Sequence, residues 1–243
     1  MNKINVKLVI IGHLRIMLDL RRLKRFSSRF FQITEIERID ALPEPQKDDG
    51  FLDIVYSREE ITSLINSVNG TDLVVGVINY RFDDNFYLHR TGIKKACISI
   101  ANIDRLLTSH SISIENFILK NIYELTVFVN VFGKLDTEDV YSFVHQDTRG
   151  CLFDLNGDKL DVLHNTERPI ICNSCKALIN SKSVPDNFVK HLECELKRIR
   201  KPYICSIELF IKKYPLFSFA VTFLFGILIN IISSIIWEIL KAA

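Results

Sequence analysis

The alternation of apolar and polar positions divides the chain into a mixed set of elements. Residues 6–11 (VKLVII) are a short β-rich run and predict a buried strand. Between positions 14 and 25, apolar residues at 14, 17, 18, 20 and 23 are separated by bases, the spacing of an amphipathic helix. Phe31–Ile39 alternates and predicts a second strand; Leu42-Pro43-Glu44-Pro45 and the polar residues to Gly50 predict a loop. Ser57 followed by Glu60 has the spacing of a capping box, and the helix it opens is expected to end near Asn69-Gly70. Leu73–Ile78 (LVVGVI) is continuously apolar, the pattern of a central strand, and residues 96–100 (ACISI) predict another. Ser113 is placed to cap a helix over 114–132 that Gly133 stops; its apolar positions 114, 117, 118, 122, 125, 128, 129 and 132 keep helical spacing. Asp186 is placed to cap a last amphipathic helix over 187–200. Strands and helices follow in no repeating order, so the expected class is α+β (mixed α/β), with no internal repeat.

One stretch breaks this pattern. Residues 216–237 (LFSFAVTFLFGILINIISSIIW) carry no charge and, as a helix, span about 33 Å, enough for a bilayer core. Lys212, Lys213 and Tyr214 precede it, with Arg198, Arg200 and Lys201 behind them, whereas only Glu238 and Lys241 follow. That asymmetry places the N-terminal side in the cytoplasm. The expectation is a tail-anchored, single-pass membrane protein: a cytosolic domain over 1–205, a connector over 206–215, a transmembrane helix over 216–237 in the lipid bilayer, and a short tail over 238–243. The first eighteen residues, broken by Lys7 and His13, do not read as a signal peptide.

Charge adds little to this picture. Lys+Arg 31 against Asp+Glu 29 gives +2, so no global charge recruits a polyanion, and no nucleic-acid partner is expected. Arg15, Arg21, Arg22, Lys24 and Arg25 could reach headgroups or nucleic acid, but a solvated helix face is the simpler reading.

Six cysteines on the cytosolic side are expected as thiols or metal ligands rather than disulfides. Cys172 and Cys175 form a CxxC; Cys151 and His145 lie upstream and His164 between. Tetrahedral zinc takes four N/S donors, two of which a CxxC supplies from one turn. The plain alternative is a packed thiol at Cys151 and a loop pair at Cys172 and Cys175. A thioredoxin-type redox role lacks the strand and long helix that would host it.

Several of these segments, in this order over roughly residues 40–180, resemble the archaemetzincin-type zinc metallopeptidases. ALPEP with YSREEI is similar to that family's loop and Arg-bearing helix, DLVVGVINYRFDDNFYLHR to its strand and Asn-Phe segment, and ACISIANIDRLL to its Ser-ending strand. FILKNIYELTVFVNVFG resembles the active helix that bears HExxHxxGxxH in the family, and HQDTRGC followed by ICNSC, within residues 145–176, its zinc-binding tail. The resemblance implies a metzincin-like sheet with packed helices.

The departures fall on the catalytic motif. Tyr123 and Val127 stand where the resemblance puts the first two zinc histidines; Glu124 remains at the general-base position. Asn130 replaces the family's Gly, Phe153 its Met, and Gln146 one of its four structural-site cysteines. His145 best matches the third catalytic histidine, after an insertion over 134–144. A Val offers no donor atom, so a three-imidazole catalytic zinc is not expected and no residue is assigned as catalytic. A structural zinc on His145, Cys151, Cys172 and Cys175, with His164 as the alternative ligand, is expected to persist. The chain thus reads as a pseudoprotease that binds a protein or peptide and is not expected to be an enzyme. The alternative is an active membrane-anchored metallopeptidase with rearranged ligands, such as His145 with His89 or His164.

Overall fold

Burial of the apolar strands β1 (Ile4–Ile11) and β5 (Leu73–Ile78) on both faces sets the architecture. The computed structural model describes residues 3–45, 47–48, 54–66 and 72–242. Among these, β1 (Ile4–Ile11), α1 (Leu20–Arg25), β2 (Phe31–Ile39), β3 (Lys47–Asp48), β4 (Ile54–Tyr56) and α2 (Arg58–Asn66) come first. Next are β5 (Leu73–Ile78), β6 (Arg81–Phe82), β7 (Leu88–Gly92), β8 (Lys95–Ser99), α3 (Ile103–Ser109) and α4 (Ile114–Phe132). A 3-10 turn over Glu138–Phe143, then α5 (Asp161–Glu167), α6 (Asn173–Asn180), α7 (Phe188–Leu196), α8 (Tyr203–Lys213) and α9 (Pro215–Ala242) complete the chain.

The main sheet has the order β2-β1-β5-β8-β7; only the β7–β8 pair is antiparallel. A smaller sheet runs β3-β4-β6. Mixed α/β is therefore the observed class, and LVVGVI is the middle strand as its pattern predicts. Val6, Leu8 and Ile10 of β1 face one core with α4, and Val9 and Ile11 face a second with Ile61 and Ile65 of α2. Gly76 makes the second core fit. A Cβ there would lie 2.9 Å from Ile65 Cδ1, 3.0 Å from Ile11 Cδ1 and 3.1 Å from Cys97 Sγ, so any larger residue would have to push these side chains aside for α2 to close on β5.

The caps follow the sequence at α2 and α4. Ser57 N–H donates to Glu60 Oε2 (2.7 Å) and Glu60 N–H to Ser57 Oγ (3.3 Å), closing the capping box; the end of that helix near Asn69-Gly70 lies outside the described residues. Ser113 Oγ accepts from Asn116 N, and Gly133, at φ +75°, ends α4 in the left-handed region.

Two helices differ from expectation. The helix expected from position 14 begins only at Leu20, because Asp19 caps it by accepting from Arg22 N–H while its own N–H donates to Glu115 Oε1. Residues 13–18 are irregular, with Met17 98% exposed. The final helix of the domain is capped not by Asp186 but at Asn187, at φ +62° with no side-chain bond, and it gives way to a 3-10 turn over Lys197–Ile199.

Contacts divide the chain into Met1–Lys201 and Pro202–Ala243. The second unit holds α8, where residues 206–215 read as a connector, and α9. Within α9, Pro215–Trp237 has a mean hydropathy of 2.4 and none of its apolar window is buried; it is long and apolar enough to cross a membrane by length and composition.

Candidate metal centre and the cavity beside it

Two polar clusters are built into the first unit, and the sequence pointed at one of them. His145 begins an irregular run to Asp154, and its backbone N–H donates to Phe153 O at 3.2 Å. Asp154 Oδ2 accepts from Arg149 N and Cys151 N, both at 2.9 Å, which folds the run back through Gly150 at φ +72°. Cys151 is thereby buried and pairs with Ile170 in a short bridge. Ile171 then leads directly into α6. Cys172 is that helix's N-cap and Cys175 lies in its first turn, so the CxxC is a helix start rather than a loop pair.

The four donor atoms of His145, Cys151, Cys172 and Cys175 lie within 4.8 Å of one another. His145 Nε2 is 3.0 Å from Cys175 Sγ and 3.2 Å from Cys172 Sγ, and Cys172 N–H points at Cys151 Sγ at 3.4 Å. Tetrahedral zinc with three thiolates and an imidazole has ligand–ligand edges of about 3.5–3.8 Å, so this donor set fits zinc in both chemistry and spread. Hydrogen bonding from the Cys175 thiol brings Cys151 down to about 5 against the effect of burial, and the same bond with burial pushes Cys175 up. One sulfur of the pair, Cys151, thus gives up its proton readily. His164 is not among the four: it is exposed on α5 and lines a separate shallow cavity with Arg149 and Asp161.

The second cluster lies on α4. A cavity of about 480 Å³ opens between β7, this helix and the segments that follow it. Leu88, His89 and Arg90 form one wall, Tyr141 and Phe153 another, and Glu124 lies at its base. Glu124 is buried and accepts from Lys120 Nζ at 2.9 Å, one helical turn earlier. Lys120 is fully buried. Burial alone would lower its ammonium, but the charge of Glu124 and the neighbouring Tyr87 outweigh that and hold it above its ordinary value. Asn156 Nδ2 donates to Tyr87 Oη at 2.8 Å and extends the network.

Tyr123 and Val127, the residues at the expected ligand positions, do not line the cavity. The Tyr123 ring packs on Phe26, Phe30 and Phe31, and its hydroxyl donates to Glu195 Oε2 at 2.7 Å. Ser28 Oγ (2.6 Å) and Arg29 N (2.8 Å) donate to the same carboxylate, and burial pushes the phenol above its ordinary value. Among the described residues His89 is the only histidine lining the cavity; its Nε2 lies 3.1 Å from Asp84 Oδ1. Phe153 stacks into a cluster with Phe128 and Phe143.

Sequence reading missed Lys120, Tyr87, Asn156 and Glu195. Lys120 and Glu124 did carry a signal, a lysine and a glutamate at i,i+4 in an otherwise apolar helix. Glu195 carried none, since its partners lie 72 and 167 positions away in the chain.

Comparison with known proteins gives one structural likeness. No family model and no curated protein sequence matches the chain. Among solved structures it is similar to archaemetzincin from Methanopyrus kandleri, at 16% identity and a TM-score of 0.48, over 73% of this chain and 94% of that one.

Proposed function

We propose that this chain is a membrane-anchored, archaemetzincin-like binding domain that holds one structural zinc and no catalytic metal. The observation that carries it is the company of Glu124. A metallopeptidase glutamate deprotonates a metal-bound water. Here the carboxylate is already paired with an internal cation, Lys120, and the histidines that could hold a metal beside it are reduced to His89. The collinear sequence segments and the three-cysteine, one-histidine donor set support the family reading.

His145, Cys151, Cys172 and Cys175 would hold the zinc, which would supply folding free energy by tying the 145–154 loop to the start of α6. The cavity then serves recognition. Its wall β7 is one of the two edge strands of the main sheet, where an extended peptide can lie beside the strand and send side chains into the hollow. Residues 216–237 would cross the bilayer, with Lys212 and Lys213 marking the cytoplasmic side.

Metal analysis of the full chain in detergent tests this reading. One zinc per chain is expected, together with no cleavage of a peptide library. A second metal equivalent, or cleavage by wild type that disappears in Glu124→Gln at unchanged abundance, would overturn it. For the anchor, protease added outside intact cells is expected to spare residues 1–210.

A further inference from the structure

We infer that the basic face built from α1, the irregular residues before it and the 197–201 segment docks on anionic lipid headgroups. This rests on the proposed membrane crossing by α9.

Three observations carry the inference. The first is charge. The chain as a whole is nearly balanced, yet between Gly12 and Phe30 six Arg or Lys residues stand against one acid, Asp19, which is engaged as the cap of α1. Arg15, Arg21, Lys24 and Arg25 are exposed, and among the described residues no carboxylate pairs with the last three. The second is continuity with the segment leading to α9. Arg198 Nη1 donates to Ser27 O at 2.6 Å, and its guanidinium lies over Phe26 at 5.0 Å. Arg22 donates through Nη2 to Asn116 Oδ1, and Asn116 Nδ2 reaches Arg200 O at 3.5 Å. The basic face is therefore fastened to the last residues of the first unit, and the chain leaves it at Lys201 for α8 and α9. The length of chain between Lys201 and Pro215 limits how far the face can stand from a bilayer that α9 enters.

The third observation separates lipid from other polyanions. Met17, 98% exposed, stands between Arg15 and Arg21. An apolar tip flanked by long basic side chains suits the headgroup boundary, where the thioether enters the acyl edge and the bases remain among phosphates. A phosphate backbone alone gives that tip nothing to bury in.

The test uses the full chain in nanodiscs of phosphatidylcholine alone or mixed with phosphatidylserine. Amide hydrogen exchange is followed over residues 13–29. Slower exchange in the anionic discs is expected, weakened by salt. In Arg21→Glu/Lys24→Glu/Arg25→Glu the protection should fall by about fivefold for each base removed. Equal exchange in both discs, for chain that stays in them through an alkaline wash, overturns the docking and leaves the anchor standing. Chain that does not co-purify with discs overturns the anchor and the docking with it. Protection by duplex nucleic acid but not by anionic lipid overturns the assignment to membrane.

Discussion

The His145–Cys175 cluster and the Lys120–Glu124 cluster lie in one domain and solve the same problem in opposite ways. Each gathers polar groups in a largely buried place, where an unbalanced charge is costly. At Lys120 and Glu124 the cation is part of the chain, so the site is neutral without any ligand. At the cysteines three sulfurs and an imidazole converge, and the cation beside them, the Arg149 guanidinium near Cys172, is already held by Asp147, so the more thiolate they carry, the more they need a cation from outside. Reading a metal centre therefore depends less on a catalytic-looking glutamate than on whether its charge is already answered.

The largest effect should come from removing the unanswered donors. Cys172→Ser/Cys175→Ser is expected to lose its zinc and to unfold cooperatively at much lower temperature, since binding free energy at such a site is folding free energy. Zinc stoichiometry with thermal unfolding checks this, and stoichiometric metal in the double variant would remove the site. Next, Lys120→Met should destabilise by about 3–5 kcal/mol, because it leaves Glu124 buried alone. Lys120→Met/Glu124→Leu should recover most of that, with zinc content unchanged in both. Denaturant titration decides; a double variant no better than the single would deny that the two form a closed pair.

Smaller effects sharpen the contrast. Tyr123→Phe should cost about 1–2 kcal/mol through the bond to Glu195 and leave the metal untouched. Loss of zinc in that variant would show that the phenol is a ligand after all. The pH profile should be the mildest. Because the folded-state value of Lys120 is raised, its stabilisation is complete below the ordinary lysine value of 10.5 and fades as pH rises through the higher folded value. Stability followed by denaturant midpoint should therefore decline above about pH 10.5, and less steeply in the Lys120→Met/Glu124→Leu variant.

Much of this was legible in the chain because burial and hydrogen bonding there are local. The β2, β5 and α4 boundaries could be read from alternation, a continuous apolar run, and Ser113 with Gly133. The cysteine cluster could be read because CxxC brings two donors from one turn and few residues elsewhere compete. The Lys120–Glu124 pair was not read because the same i,i+4 spacing normally marks a solvated face; only the packing of α4 against the sheet turns it inward. The start of α1 was misplaced because residues 14–18 keep helical spacing, while the tie that stops the helix, Asp19 to Glu115, reaches 96 positions along the chain. Tyr123 could be excluded as one of a histidine pair by its identity, but its engagement with Glu195 is a tertiary fact.

The outer strand of the main sheet has one more consequence. Arg58 Nη2 donates to the Arg90 carbonyl at 2.9 Å, and just past β7 the Leu135 N–H donates to the Ile93 carbonyl at 2.7 Å. Molecules confined to a bilayer diffuse in two dimensions and meet their own copies often. A long open strand edge under such crowding invites copy-to-copy strand addition and, in the end, fibres. With these two carbonyls taken, a short guest segment would still have the remaining β7 edge, while a neighbour's sheet would find no continuous row on that side to extend.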